Sequence, residues 1–424
     1  MARFDSLSAW LVWQEQSHPR LVDLGLDRVT QVYAKLGLHL TRPPTITVGG
    51  TNGKGSCVAL LSAIYRAQGY KVGAYTSPHI LHYNERICID GVPASDAAIC
   101  NAFERIDAAR DGVSLSFFEF GTLAALILFA EAEVDVRLLE VGLGGRLDAV
   151  NIVDSDAAII TTVALDHMDW LGATVEAIGR EKAGIFRAGV PAIIGESEPP
   201  QSVLDSARQT GARLLRFGRD FYYRRQDNGW EWRGGEVCLP DLPPPAFPGE
   251  HQYRNAAASV MAVVGLRGRL PVSAASVAAG VGQARLLGRF QLIPGEPPVL
   301  LEVGHNPQAV ETLCEHLRER FAETTIHAVF AMMKDKDIAS VVALMRDYVH
   351  MWYLAPLPGN KRAAGEDLMR RVFAQLEVAQ VRQDFGDFSE AFAAASAQAK
   401  SGELILVFGS FFLVSEYLAK FSQR

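Results

Sequence analysis

Short apolar runs of strand length alternate with longer segments of helical periodicity along most of the chain. In the first two thirds, the runs that predict strands are 45–48, 71–75, 136–141, 157–163 and 191–194. Several of them end in a polar turn that leads into apolar residues at helical spacing. This alternation predicts an α/β fold of the P-loop type, with a mostly parallel sheet covered by helices on both faces.

The alternation is interrupted at 196–250 and restarts near residue 299. Aromatic residues on both sides of Asp227–Gly229 predict a β-hairpin, and the proline-rich stretch 240–248 predicts a loop. The later series of strands and helices predicts a smaller, Rossmann-like α/β domain. The predicted organisation is a first domain at 1–288 with a hairpin insertion at about 215–240, a linker at 289–298, and a second domain at 299–424.

Composition excludes several classes of protein. The chain has 424 residues and a net charge of −7, which argues against a nucleic-acid or anionic-membrane partner. Its five cysteines form no C-x-x-C pair, so we expect reduced thiols and a cytoplasmic protein. No signal peptide is evident at the N-terminus. The longest apolar run, 123–130, is too short to span a bilayer and predicts a core helix.

The stretch GTNGKGS at 50–56 lies between a predicted strand and a predicted helix. Strand, glycine-rich turn and helix in this order form a phosphate-binding loop, because backbone N–H groups and the helix dipole attract anionic oxygens. Gly55 separates Lys54 from Ser56, which departs from the usual P-loop spacing. A plain glycine-rich turn is the alternative, but the positions of the lysine and the hydroxyl favour ATP.

Ser77, Glu140 and His167 each follow a predicted strand. The carboxyl ends of parallel strands meet at one edge of a sheet, so these side chains could converge beside the phosphate loop. Hydroxyl, carboxylate and imidazole together would suit Mg²⁺ that enters with a nucleotide. Taken singly, each has a simpler explanation: a turn serine, a strand-end ion pair, and a histidine bonded to backbone.

Other chemistries are disfavoured. The glycines at 142–145 could suggest dinucleotide binding, but a further strand rather than a helix follows them. No serine elbow, cysteine–histidine arrangement or zinc-spaced cluster is compelling, which argues against a nucleophilic hydrolase. Lys182 alone is most simply a helix lysine that pairs with a nearby acid.

Taken together, the motifs resemble the folylpolyglutamate synthase/dihydrofolate synthase family of the Mur-ligase superfamily. They are DLGLDR at 23–28, GTNGKGS at 50–56, TSPH at 76–79, LEVGLGGRLD at 139–148, LDH at 165–167, GREKAGIF at 179–186, HNP at 305–307, DKD at 335–337 and FGS at 408–410. The resemblance covers nearly the whole chain. It implies an ATP-dependent ligase that adds L-glutamate to dihydropteroate and to reduced folates through an acyl phosphate, and we expect a monomer.

The resemblance also implies roles for individual residues. It assigns catalysis to Lys54, Lys182 and His167, with Lys182 carbamylated, and one or two Mg²⁺ ions to Ser77, Glu140 and His167. The implied ATP contacts are Thr51, Asn52, Gly53, Lys54, Gly55, Ser56, Asn255, Arg289, Glu302 and His305. The implied pterin contacts are Asp23, Leu24, Gly25, Ser116, Phe117, Phe118, Leu147, Asp148 and Ala149.

Three positions depart from the family pattern. Glu302 stands where relatives carry aspartate, Met333–Lys334 where they often carry histidine, and Phe412 where they carry a polar residue. Two narrower alternatives are a monofunctional folylpolyglutamate synthase and a cell-wall amino-acid ligase, and the pattern around Asp148 argues against the second. A nucleotide-binding regulatory protein without ligase activity is the alternative from another class.

Overall fold

The computed structural model describes residues 3–19, 23–40 and 42–421. Residues 1, 2, 20–22, 41 and 422–424 lie within the predicted domains but outside the described residues. The chain divides into two compact units. The first comprises Met1–Ala164, Met168–Ala246 and Gln252–Arg285, and the second Leu165–His167, Phe247–His251 and Leu286–Arg424. The domain boundaries predicted from sequence stay a prediction.

The first unit contains an eight-stranded sheet in the order β4-β3-β2-β5-β1-β6-β7-β8. Its strands are β1 Thr45–Gly49, β2 Val72–Tyr75, β3 Ile87–Ile89, β4 Val92–Pro93, β5 Val136–Glu140, β6 Ala157–Ile160, β7 Pro191–Ile194 and β8 Arg213–Arg216. Pairing is parallel except at β3 and β4, which form the antiparallel edge. The central strands β1, β5 and β6 are buried along their whole length, as expected for a parallel sheet with both faces covered, so the predicted mostly parallel sheet is confirmed.

The register of the central strands fixes the carboxyl edge of this sheet. Val48 of β1 pairs with Glu140 of β5 on one side and with Ile159 of β6 on the other. The turn that follows Gly49 therefore starts level with the end of β5 and with residues 160–161. Sequence positions about 90 and 110 residues apart become neighbours here.

Helices cover both faces of the large sheet. Those before residue 285 are α1 Leu7–Ser17, α2 Asp27–Lys35, α3 Lys54–Gln68, α4 Asp96–Arg110, α5 Phe117–Glu131, α6 Met168–Leu171, α7 Val175–Ala183, α8 Gln201–Thr210, α9 Glu250–Gly265 and α10 Ala274–Gln283. Residues 119–129 of α5 are all buried, which confirms the predicted core helix. Short 3-10 helices lie at Leu38–Leu40, Tyr83–Arg86 and Ala149–Ile152.

A small antiparallel sheet also belongs to the first unit. It consists of β9 Phe221–Gln226, β10 Gly229–Gly234 and β11 Val237–Leu242. The predicted hairpin is confirmed, because Gln226 pairs with Gly229 across the turn. The loop prediction at 240–248 is wrong at its start, where Pro240 lies in β11. This strand is at the edge of the sheet, where a missing backbone N–H is tolerated.

The second unit has its own six-stranded sheet in the order β12-β13-β17-β14-β15-β16, parallel except for β12. Its strands are β12 Gln291–Ile293, β13 Val299–Glu302, β14 Ile326–Phe330, β15 Met351–Leu354, β16 Val381–Arg382 and β17 Leu404–Phe408. Its helices are α11 Pro307–Arg320, α12 Ile338–Met345, α13 Glu366–Gln375, α14 Phe388–Gln398 and α15 Phe411–Phe421. The predicted smaller α/β sheet is confirmed. Within the described ranges, no helix combines the length and apolar character needed to cross a bilayer.

Candidate active site

The phosphate loop has a backbone that only glycine can adopt without strain. Gly53 caps the start of α3 at φ +87°, and Gly50 has φ +141°. A Cβ atom on Gly50 would lie 1.8 Å from Thr161 Oγ1, and one on Gly53 would lie 2.6 Å from Asn255 Oδ1. The loop is therefore pressed against both neighbours, and a side chain at either glycine would displace Thr161 or Asn255.

Residues 161–164, which follow β6, hold the first half of this loop. Thr51 N donates to Thr162 O at 2.8 Å, and Asn52 N donates to Thr162 Oγ1 at 3.1 Å. Thr161 Oγ1 donates to Asn52 O at 2.5 Å, and Ala164 N donates to Thr51 Oγ1 at 3.0 Å. We call residues 161–164 the loop clamp. Thr161 and Thr162 were missed from sequence because only the pairing of β1 with β6 brings them to the loop.

The remaining predicted nucleotide residues of the first unit gather at the same place. Lys54 Nζ donates to the carbonyl oxygens of Gly50 and Thr51, each at 3.1 Å, so its ammonium lies over the loop. Ser56 is buried in the first turn of α3. Asn255 Nδ2 donates to Gln252 Oε1 at 3.0 Å, which orients the amide toward Gly53. A helix start, a bare backbone and one ammonium fit the phosphates of a nucleotide.

Two of the three predicted metal ligands are brought together. Glu140 is buried at the end of β5, and its Oε2 accepts a hydrogen bond from Ser77 N at 3.2 Å. His167, the third, belongs to the second unit and has φ +53°. Within the described residues, no group of three or more His, Cys, Asp or Glu side chains could hold a metal ion by itself. A buried carboxylate beside a serine residue fits Mg²⁺, which keeps several waters and needs few protein ligands.

Lys182 lies near the end of α7 with only 4% of its surface exposed. The backbone of α7 passes against Gly145, where an added Cβ would lie 2.8 Å from Lys182 O. The charge of Lys182 also acts on Glu196, whose pKa burial raises to about 7 and Lys182 helps to lower. Lys182 is therefore a buried lysine near the end of α7, and its catalytic role and carbamylation stay predictions.

The predicted pterin residues fall into two groups, of which one surrounds Asp148. This carboxylate is buried: Oδ2 accepts from Leu143 N at 2.8 Å and Oδ1 accepts from Val150 N at 3.0 Å. Burial raises the pKa of Asp148 to about 6, and these backbone bonds oppose the rise. Leu147 and Ala149 flank it, and Phe118 covers Gly142, where a Cβ would lie 2.6 Å from the ring. Asp148 therefore anchors backbone, and its role as a pterin contact stays a prediction.

The other group lies at the start of α5. Ser116 caps this helix and accepts from Glu119 N, while Glu119 Oε2 accepts from Ser116 N. Arg28 joins Glu119 at 3.3 Å and Asp23 Oδ2 at 2.8 Å, which brings the 23–28 motif to this helix start. The predicted residues Leu24 and Gly25 lie in the adjoining irregular segment, and the Phe117 ring packs edge-on to Tyr83.

The second unit collects its predicted residues around Glu302. One oxygen of this buried carboxylate accepts from Phe290 N at 3.0 Å, and the other accepts from Gly304 N at 2.7 Å. Arg289 lies 3.6 Å from Glu302 and stacks over Phe411. Burial raises the pKa of Glu302 and Arg289 opposes this effect. Glu302 was predicted only as a nucleotide contact, but it also fixes the backbone on both sides of β13.

An ion pair in the second unit joins the LDH motif at 165–167 to the DKD motif at 335–337, and neither motif alone predicts this pairing. Lys336 Nζ lies 2.6 Å from Asp166 Oδ1, with 5% and 10% of the two side chains exposed. Burial would raise the pKa of Asp166, but Lys336, His167 and His305 hold it well below its usual range. His305 Nδ1 lies 2.9 Å from Val303 O, and burial lowers the pKa of this imidazole to about 4. The imidazole is therefore neutral at pH 7.

Comparison with known proteins identifies the class. Residues 48–263 match the Mur ligase middle domain, and residues 288–411 match the Mur ligase glutamate ligase domain. The chain is thus a Mur ligase, an ATP-dependent enzyme that joins an acid to an amino acid.

Individual relatives narrow the class further. The dihydrofolate synthase/folylpolyglutamate synthase of Escherichia coli (strain K12) is 42% identical over 418 residues, which cover 99% of this chain and 96% of the relative. The structure of E. coli FolC in complex with DHPP and ADP has a TM-score of 0.92 at 42% identity, with 99% of this chain and 98% of that chain covered. A bifunctional folylpolyglutamate synthase/dihydrofolate synthase with Mn, AMPPNP and L-glutamate bound has a TM-score of 0.90 at 43% identity, with 98% of both chains covered. The chain belongs to the dihydrofolate synthase/folylpolyglutamate synthase family.

Proposed function

We propose that this enzyme adds L-glutamate to 7,8-dihydropteroate and to reduced folates, with ATP as the phosphoryl donor. The observation that carries the proposal is the phosphate loop, with its glycine backbone, the loop clamp that holds it and the ammonium group of Lys54. This loop belongs to a chain that matches a relative of the family over nearly its full length. A ligase of this kind needs no side-chain nucleophile, since positioning and charge neutralisation supply the catalysis.

The nucleotide half of the proposed site is the phosphate loop together with Asn255. In the proposal, the N–H groups at the start of α3 bind phosphate oxygens, and Lys54 exchanges its bonds to loop carbonyls for bonds to the outer phosphates. Arg289, Glu302 and His305 are the proposed contacts of the second unit. Glu302 would contribute through the backbone it holds as well as through its carboxylate.

Ser77 and Glu140 are the proposed holders of Mg²⁺, together with His167 as the sequence predicts. When bound, the ion would neutralise charge on the phosphates during transfer. We further propose, from the family resemblance, that Lys182 is carbamylated, which would replace a buried cation by a carboxylate. Asp148, Phe118 and the residues that flank them are the proposed pterin contacts, with Asp148 accepting from ring N–H groups.

The proposed reaction has two steps. A carboxylate oxygen of the pterin acid attacks the γ-phosphorus of ATP, the bond to the β–γ bridging oxygen breaks, and ADP leaves. The amino group of glutamate then attacks the acyl carbon, the carbon–oxygen bond to phosphate breaks, and the amine loses its proton to solvent. The products are an amide, ADP and phosphate. A free carboxylate does not form an amide with an amine at neutral pH, because it has no good leaving group. Phosphorylation of one carboxylate oxygen supplies phosphate as that leaving group.

The test is an assay of the purified protein with MgATP, L-glutamate and either 7,8-dihydropteroate or tetrahydrofolate. We expect glutamate-dependent release of phosphate and products heavier by one glutamyl unit, read by mass spectrometry. Turnover of tetrahydrofolate alone would favour the monofunctional folylpolyglutamate synthase. ATP binding without glutamate-dependent product in either reaction would overturn the proposal.

We also propose that the protein is a monomer, which size-exclusion chromatography with light scattering would test. The five free cysteines support the proposal of a cytoplasmic location.

A further inference from the structure

Glu196 is a partly buried carboxylate that follows β7 at the carboxyl edge of the large sheet. Its Oε1 accepts a hydrogen bond from Val163 N at 3.1 Å. The preceding residue fixes its position, because Gly195 N donates to Ile160 O at 2.8 Å. A Cβ on Gly195 would lie 2.8 Å from Thr161 O. The backbone on which Glu196 stands is thus held directly against the end of β6.

Val163 is part of the loop clamp, residues 161–164. The residues on both sides of it bond the phosphate loop: Thr162 accepts from the backbone of Thr51 and Asn52, and Ala164 N donates to Thr51 Oγ1. Val163 N itself points to Glu196 instead. The clamp therefore has the phosphate loop on one side and the Glu196 carboxylate on the other.

Charged groups of two further elements act on this carboxylate. Burial raises the pKa of Glu196 to about 7, while the bond from Val163 N, the charge of Arg254 on α9 and the charge of unmodified Lys182 on α7 oppose the rise. Arg254 directly precedes Asn255, whose amide lies against Gly53 of the loop. Glu196 thus lies near the elements that carry the proposed nucleotide-binding residues, although it is not itself a proposed nucleotide contact.

We propose that Glu196 is a positioning residue for the phosphate loop: its oxygen fixes the Val163 amide, and the clamp transmits this constraint to Thr51 and Asn52. The inference deepens the proposed function and rests on it, since it assumes that the loop binds the phosphates of a nucleotide. The required property is an acceptor atom at the reach of a glutamate side chain, and the negative charge is secondary.

Two substitutions separate reach from charge. Glu196→Gln keeps an acceptor oxygen at the same distance and removes the charge, whereas Glu196→Asp keeps the charge and shortens the side chain by one methylene. Glu198→Gln is the matched control, because Glu198 is an exposed carboxylate two residues further along the same loop. None of the three creates a large cavity, so we expect all of them to fold, which thermal unfolding of each variant checks.

The measurement is the affinity for MgADP by titration calorimetry, together with the KM values for ATP and glutamate. We expect E196D to bind MgADP about tenfold more weakly, the effect of one lost hydrogen bond, with a matching rise in the KM for ATP and no change in that for glutamate. E196Q and E198Q should stay within about twofold of the unmodified protein. Wild-type affinity in E196D, or a loss in E196Q as large as that in E196D, would overturn the inference. Failure of the proposed function is distinguishable, because it would appear in the unmodified protein as the absence of glutamate-dependent product, whereas failure of this inference appears only in the comparison of the variants.

Discussion

Substitution of Gly53 by alanine tests the claim that the loop backbone forms the phosphate site. Gly53 has φ +87°, and an added methyl group would lie 2.6 Å from Asn255 Oδ1. The left-handed backbone costs alanine about 1–2 kcal/mol. Asn255 must also move, which breaks its hydrogen bond to Gln252 and costs about 1 kcal/mol more. The expected loss of unfolding free energy is therefore about 2–3 kcal/mol.

Gly69→Ala is the matched control at the other end of α3. Gly69 also has a left-handed backbone, at φ +96°, but an added Cβ there meets no atom within 4 Å. Urea denaturation should show a loss of about 1–2 kcal/mol for G69A, since only the backbone strain applies. In calorimetry with MgADP, G53A should lose at least about tenfold in affinity and G69A should lose none. Unchanged nucleotide affinity in G53A, or an equal loss in both variants, would refute the reasoning.

Three further predictions concern buried charged groups. Lys182→Ala should abolish ligation while MgADP still binds. If Lys182 is carbamylated, the activity of the unmodified protein should also fall in CO₂-depleted buffer and return with bicarbonate. Full activity of K182A would exclude the carbamate. Burial raises the pKa of Asp148 to about 6, so this carboxyl group holds its proton more tightly in the folded state than in the unfolded state. The stability that this group contributes is therefore complete below about pH 4 and is lost as the pH rises to about 6. Urea midpoints measured from pH 4 to 7 should therefore fall less in Asp148→Asn than in the unmodified protein, and parallel profiles would contradict the assignment. Lys336→Met leaves Asp166 buried without its cation, and we expect urea denaturation to show a loss of about 3 kcal/mol of unfolding free energy. Lys334→Met, at an exposed lysine, is the control and should lose less than about 0.5 kcal/mol. Equal urea midpoints for the two variants would contradict this prediction.

The sequence was most informative where a function depends on neighbouring residues. The phosphate loop is a continuous segment, so its glycines, Lys54 and Ser56 could be read directly from the chain. The α/β alternation was equally local and predicted both sheets. Residues 274–283 were not predicted as a helix, because α10 is rich in alanine and glycine and gives little periodic signal. It packs closely on α3, where a Cβ on Gly280 would lie 2.4 Å from the backbone of Ile64.

Features that depend on tertiary pairing could not be predicted from the sequence alone. The clamp threonines reach the phosphate loop only through the register of β1 with β6. The pair of Asp166 with Lys336 joins two motifs 170 residues apart, each of which was recognised without its partner. Glu302 was predicted as a ligand contact because its motif suggested one. Its two bonds to backbone N–H groups follow from burial at the end of β13, which no sequence pattern shows.

The most direct test of the proposed chemistry follows an oxygen atom. Dihydropteroate labelled with ¹⁸O in its carboxylate is incubated with the enzyme, MgATP and L-glutamate, and the released phosphate is analysed by mass spectrometry. We expect each phosphate to carry one oxygen from the substrate carboxylate, because that oxygen attacks phosphorus and leaves with it. Formation of the amide with unlabelled phosphate would contradict the acyl-phosphate mechanism.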